Sequence, residues 1–173
     1  MHIKLLICFF IQITSIYSFD VQTINKGTIH LSDYTNKKIL LVNIATGSEY
    51  ANQLQSLEQL YQTYKDSLVV IAFPSNSFGN ENHSDSELNR IMTDSLGIHF
   101  PIASISDVFG ANAHPIYQWL SDTAENGSMN VIVHGDFRKI LISNTGKIVG
   151  LFRDEVAPLD SVMINAVTHS FQP

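Results

Sequence analysis

Cys8 is the one cysteine of the 173-residue chain. A single thiol cannot close an intramolecular disulfide, and it cannot furnish a cysteine zinc site or an iron–sulfur cluster. The seven histidines stand at positions 2, 30, 83, 99, 114, 134 and 169, and no two of them have the spacing of a helical or finger-type metal pair. No metal or resident cofactor is therefore expected. Ser48 follows an apolar run and precedes a helical pattern. Backbone N–H groups at a helix start can act as oxyanion-hole donors, so a hydrolytic serine is one reading. That chemistry also needs a histidine base, and no nucleophile-elbow sequence surrounds Ser48. The simpler role for Thr46 and Ser48 is to satisfy the first amides of the helix, with Glu49 at capping-box spacing from Thr46. Asn82-His83-Ser84 and Asn126-Gly127-Ser128 fit the glycosylation acceptor pattern and fall in stretches predicted to be loops.

The elements that must position these residues follow from composition and periodicity. Apolar residues make up 45% and charged residues 15%, with 10 Lys and Arg against 16 Asp and Glu for a net charge of −6. Nucleic-acid binding and electrostatic attachment to a membrane are excluded as expectations, because both need clustered basic residues. The first 18 residues read as a secretory signal peptide: a short basic start, an apolar stretch from Leu5 broken at Gln12, and a small residue at Ser18. The stretch is shorter than the roughly 20 residues of a spanning helix. Export to the periplasm or medium is expected, with Cys8 discarded and no membrane anchor left. The alternative is that Ile16, Phe19 and Val21 begin the first strand and core segment of the domain.

Residues 19–173 read as one domain without repeats. A hairpin is predicted over 19–31, turning at Asn25-Lys26-Gly27. Residues 39–45 and 68–73 are unbroken apolar runs of the kind found in strands covered on both faces. Between them Tyr50, Leu54, Leu57, Leu60, Tyr61 and Tyr64 form one helical stripe. A helix is expected over 85–96, a further helical turn from His114-Pro115 to Trp119, an exposed connection over 121–130, and a hairpin of 137–143 with 148–153. A last helix starts near Pro158 and runs through Val162, Ile164, Val167 and Phe171. This order gives an α/β, thioredoxin-like fold, a central mixed sheet flanked by helices with an N-terminal β-hairpin.

Several segments then match one family in its own order. Leu41-Val42-Asn43-Ile44-Ala45-Thr46, Ile71-Ala72-Phe73-Pro74-Ser75-Asn76-Ser77-Phe78-Gly79, Gly97-Ile98-His99-Phe100-Pro101, Asn112-Ala113-His114-Pro115-Ile116-Tyr117 and Phe137-Arg138-Lys139-Ile140-Leu141-Ile142 resemble the glutathione peroxidase family over residues 16–158. The resemblance implies reduction of hydrogen peroxide and organic hydroperoxides by a thiolate or selenolate, with glutathione or thioredoxin as reductant. It places the nucleophile position at Ser48 and the supporting glutamine, tryptophan and asparagine positions at Ser77, Gly135 and Asp136. The family's signature cysteine falls on Ser75, its resolving cysteine on Met92, and the glycine after the nucleophile on Glu49. The resemblance also puts Glu49, Asp136 and His134 near Ser48. The expectation is a retained fold with a dismantled peroxidase site, acting as an exported module for a small polar ligand or a protein partner. A residual peroxidase of the oxidative stress response and a Ser48 hydrolase are the alternatives.

Overall fold

The computed structural model describes residues 13–170. At its centre are β3 (Lys38–Ile44) and β4 (Leu68–Pro74), the two apolar runs, paired parallel in register from Lys38↔Leu68 to Ile44↔Pro74. On the other side of β3 lies β5 (Lys139–Ile142), antiparallel, and β6 (Ile148–Phe152) closes the sheet in the order β4-β3-β5-β6. Both faces of β3 are buried because successive side chains point to opposite sides. Ile39 and Leu41 join Val69, Ile71 and Phe73 in a core shared with Ile16, Trp119 and Leu120, while Leu40, Val42 and Ile44 face Leu54, Leu57 and Leu60. The second group belongs to α1 (Gln53–Tyr64), the crossover between β3 and β4.

The N-terminal hairpin forms as expected, β1 (Asp20–Gln22) with β2 (Thr28–His30), and Lys26 takes the left-handed φ of 66° that its turn requires. Residues 101–104 bind it to the sheet: the Ala103 N–H donates to Ala72 O, and the Ser104 N–H donates to Gln22 O. α2 (Asp85–Asn89) has a complete Ser84/Glu87 capping box and continues into a π-helical stretch, Arg90–Ser95. Met92, in that stretch, is fully buried among the side chains facing α1.

Three expectations need correction, and the last helix is shorter than its pattern suggested. The helix after β3 starts at Gln53, not at Thr46, and residues 46–52 are successive turns. The supposed capping box fails because a buried carboxylate, Glu81, takes the Thr46 amide and hydroxyl. The connection at 121–130 is not all exposed: α3 (Pro115–Ser121) is followed by α4 (Thr123–Asn126), and Asn126 is buried. In the last helix, α5 (Ser161–Thr168), the inward residues are Met163 and Val167 while Val162 is 53% exposed.

The leader assignment, Cys8 included, falls largely outside the described residues, and so does Phe171 of the last-helix expectation. Of the leader's final stretch, Ile16 is fully buried, the Thr14 N–H donates to Glu125 O, and Tyr17 OH donates to Ser143 O. Among the described residues no helix is long and apolar enough to cross a membrane.

Candidate functional site

Three segments meet at the C-terminal edge of the parallel strands: the turn after β3, the loop after β4, and the loop before β5. One hydrogen-bond chain ties them together. The Gly47 N–H donates to Asn80 O at 3.0 Å, and Asn80 Nδ2 donates to Asp136 Oδ2 at 2.7 Å. Only glycine fits at 47, since a Cβ there would lie 2.7 Å from Asn80 O. Asn43, a fully buried polar residue of β3, holds the third segment: its Nδ2 donates to Gly135 O at 2.9 Å, and its carbonyl accepts the Phe137 N–H at 2.7 Å. That clamp keeps Phe137 at a φ of 59°, an unfavourable conformation for a bulky side chain, with Gly135 at 123° two residues earlier. On its far side Phe137 O accepts Lys139 Nζ, a fully buried cation that also donates to Arg153 O and Asp154 O.

Ser48 sits half-buried in the first turn, its N–H on Ala45 O and its Oγ accepting the Tyr50 N–H at 3.3 Å. Glu49 beside it is exposed. The Ser77 hydroxyl is committed elsewhere, accepting from Ser75 Oγ at 2.9 Å and from the Val108 N–H at 3.1 Å. Asp136 is 5% exposed, and its Oδ1 has no hydrogen-bond partner. The structure therefore gathers Gly47, Gly135 and Asp136 around the Ser48 turn through Asn80, and it turns Ser77 towards the loop that carries Val108.

No imidazole hydrogen-bonds to Ser48 among the described residues. His134 is exposed against Phe109, with ring centroids 5.8 Å apart. His114 caps α3 through its Nδ1 and the Ile116 N–H, with its pKa lowered by burial. The nearest histidine along the hydrogen bonds is His83, whose Nδ1 lies 2.8 Å from Glu81 Oε1 and 3.1 Å from Thr46 Oγ1. Glu81 is itself almost fully buried. Burial would raise its pKa, but bonds from the Thr46 amide, the His83 ring and amide, and the Thr46 hydroxyl outweigh it and hold the carboxyl below its usual range. Since one ring nitrogen faces both partners, this is not a relay of acid, base and nucleophile. It fastens the Ser48 turn to the β4 loop.

Sequence reading missed Asn43, Asn80, Glu81 and His83. Asn43 could have been found, because a polar residue in a strand buried on both faces must have a partner; nothing comparable marks the other three. The acceptor-pattern Asn126 is engaged, its Nδ2 donating to Trp119 O, Leu120 O and Met129 O and its Oδ1 accepting two amides, whereas Asn82 is exposed. No group of three or more metal-ligating side chains occurs among the described residues.

The family description glutathione peroxidase matches residues 16–121. The chain belongs to the glutathione peroxidase family. It is 33% identical over 144 residues to a glutathione peroxidase of Lactococcus lactis subsp. cremoris, covering 82% of this chain and 91% of that protein. It is 32% identical over 146 residues to glutathione peroxidase-like peroxiredoxin 1 of Saccharomyces cerevisiae, covering 83% and 87%. Among solved structures it superposes on Trgpx in its apo form with a TM-score of 0.66 and 29% identity, over 90% of this chain and 97% of that one. A thioredoxin family thiol:disulfide interchange protein of Chlorobium tepidum, at 17% identity and a TM-score of 0.61 over 90% and 97% of the two chains, shows the same thioredoxin-like fold.

Proposed function

We propose that this member of the glutathione peroxidase family is a binding module that does not turn over hydroperoxides. The observation that carries this reading is the lack of any sulfur nucleophile in the domain: the one cysteine is Cys8, and Ser48 stands at the nucleophile position. Peroxide reduction stores oxygen on sulfur or selenium as a sulfenic or selenenic acid, and a serine hydroxyl neither ionises readily nor accepts that oxygen. Support comes from the neighbours as well. Ser77 is occupied by Ser75 and Val108, and Asp136 brings a carboxylate where an incoming anion would need donors. Glutathione and thioredoxin accordingly have no oxidised sulfur to reduce here; a small polar ligand or a loop of a partner protein takes their place.

The reading includes export through the N-terminal segment. The burial of Ile16 and the Thr14 bonds argue that cleavage falls before residue 14 rather than near Ser18. The test of function is hydroperoxide consumption by the purified protein with glutathione or with reduced thioredoxin. Loss at the rate of the no-protein blank is expected; turnover above it would favour the peroxidase that the names of the relatives suggest.

A further inference from the structure

We infer that a cavity on the β5–β6 side of the sheet, sharing no residue with the Ser48 turn, is a binding site for a small aliphatic carboxylate. Its volume is about 210 Å³. Strand register explains how it forms. β5 and β6 pair Ile140 with Leu151 and Lys139 with Phe152. One step further along, the face that carries Ile140 and Leu151 carries Arg138 and Arg153, because side chains alternate along a strand. All four line the cavity, and the segment Val131-Ile132-Val133 supplies more of its wall. Val131, Val133 and Ile140 are buried, whereas Ile132 and Leu151 are each 50% exposed, so the cavity meets solvent where those two stand.

The charge at this place runs against that of the molecule. In a chain of net charge −6, two of the three arginines line one cavity, and no acidic residue lines it. Like charges directly opposite each other on a pair of strands repel, and the acidic neighbours relieve this only in part. Arg138 Nε lies 3.8 Å from Asp154 Oδ1, and Arg153 Nη1 lies 3.8 Å from Glu155 Oε1, both beyond hydrogen-bond reach. Arg138 Nε is enclosed and has no hydrogen-bond partner. It is not the ligand contact, but it shows that Asp154 leaves this guanidinium unsatisfied. The side chains of Arg138 and Arg153 keep 29% and 75% exposure, enough to be met from the cavity. A guanidinium offers a carboxylate two parallel N–H bonds, and an anion beside both arginines removes their repulsion. Lys139 Nζ takes no part, since three carbonyls engage it. The apolar wall selects an anion that carries hydrocarbon. A cavity of about 150 Å³ suffices for benzene, so this one suits a short chain, and hexanoate is the appropriate probe.

The experiment is a titration of the protein with sodium hexanoate at constant ionic strength, followed by amide NMR shifts. Saturable shifts centred on Ile132, Ile140, Leu151 and Arg153 are expected. Acetate keeps the charge and hexanol keeps the chain, and each should bind at least about tenfold more weakly than hexanoate. Arg138→Gln should weaken hexanoate by about tenfold or more, the loss of a charged hydrogen-bonding partner. Arg153→Gln guards against an Arg138 variant that does not fold, because Arg153 is mostly exposed, and it should weaken hexanoate as well. Shifts that fail to saturate or that centre on the Ser48 turn overturn the inference. So does acetate or hexanol binding as tightly as hexanoate, or an affinity that survives both arginine variants. The peroxidase assay reads separately, since it concerns the Ser48 turn and none of the residues of this cavity.

Discussion

The Ser48 side chain accepts the Tyr50 amide at 3.3 Å, as a turn residue does, and on the proposed reading the three positions that would support a nucleophile there have other partners. Ser77 receives the Val108 amide, Gly135 offers its carbonyl to Asn43, and Asp136 receives Asn80. Restoring the nucleophile alone should therefore restore little. For Ser48→Cys we expect hydroperoxide consumption within about tenfold of the blank, since removing one preorganised donor from such a site costs about 10²–10³ in rate and here three are missing. Rapid turnover by Ser48→Cys would show that the scaffold needs only its thiol. Family membership was legible in the sequence, because several matching segments follow one another in the family's order. The bonds at Gly135 and Asp136 were not, because each joins segments that only the fold brings together, as Asn80 and Asp136 are joined across 56 residues.

Elements show the same limit from another side. The Thr46/Glu49 spacing obeys the local capping rule, yet Glu81, 35 residues further on, outcompetes it for the Thr46 amide and α1 begins seven residues later. Local signals were reliable where nothing distant intervened, as in the β5–β6 hairpin. The start of β5 also carries a titrating group. Lys139 is fully buried, and burial pulls its pKa from 10.5 down to about 8, against the opposing pull of Asp154 and Glu155. With the folded value below the unfolded one, the unfolded chain binds more protons between them, so this lysine adds stability as pH rises from about 8 towards 10.5. Tyrosines with raised pKa act in the opposite direction at the top of that range, so the measurement is the difference between wild type and Lys139→Met in urea melts at successive pH values. A difference that grows in favour of wild type across this range is expected; a flat one would mean that Lys139 titrates normally.

For the whole molecule, the layered α/β plan was readable because β3 and β4 are apolar on both faces and so require cover on each side. The N-terminal boundary was less so, since the same residues that resemble the end of a leader also supply core. Ile16 packs beside Trp119 in one cluster, and the Trp119 indole N–H donates to Thr14 O at 2.7 Å. A chain beginning at residue 19 loses both contacts and should be less stable than one beginning at residue 13 by about 2–5 kcal/mol, the cost of emptying one large aliphatic site; equal denaturant midpoints would refute the assignment of Ile16 to the core. Trp119 is also the sole tryptophan of the chain and is 1% exposed. Its ultraviolet emission therefore reports on one place only, the seat of the N-terminal segment. A blue-shifted band that moves to the red when that seat empties would let intact and trimmed forms be told apart in solution, with no dye attached and no second chromophore of its kind to confuse the signal.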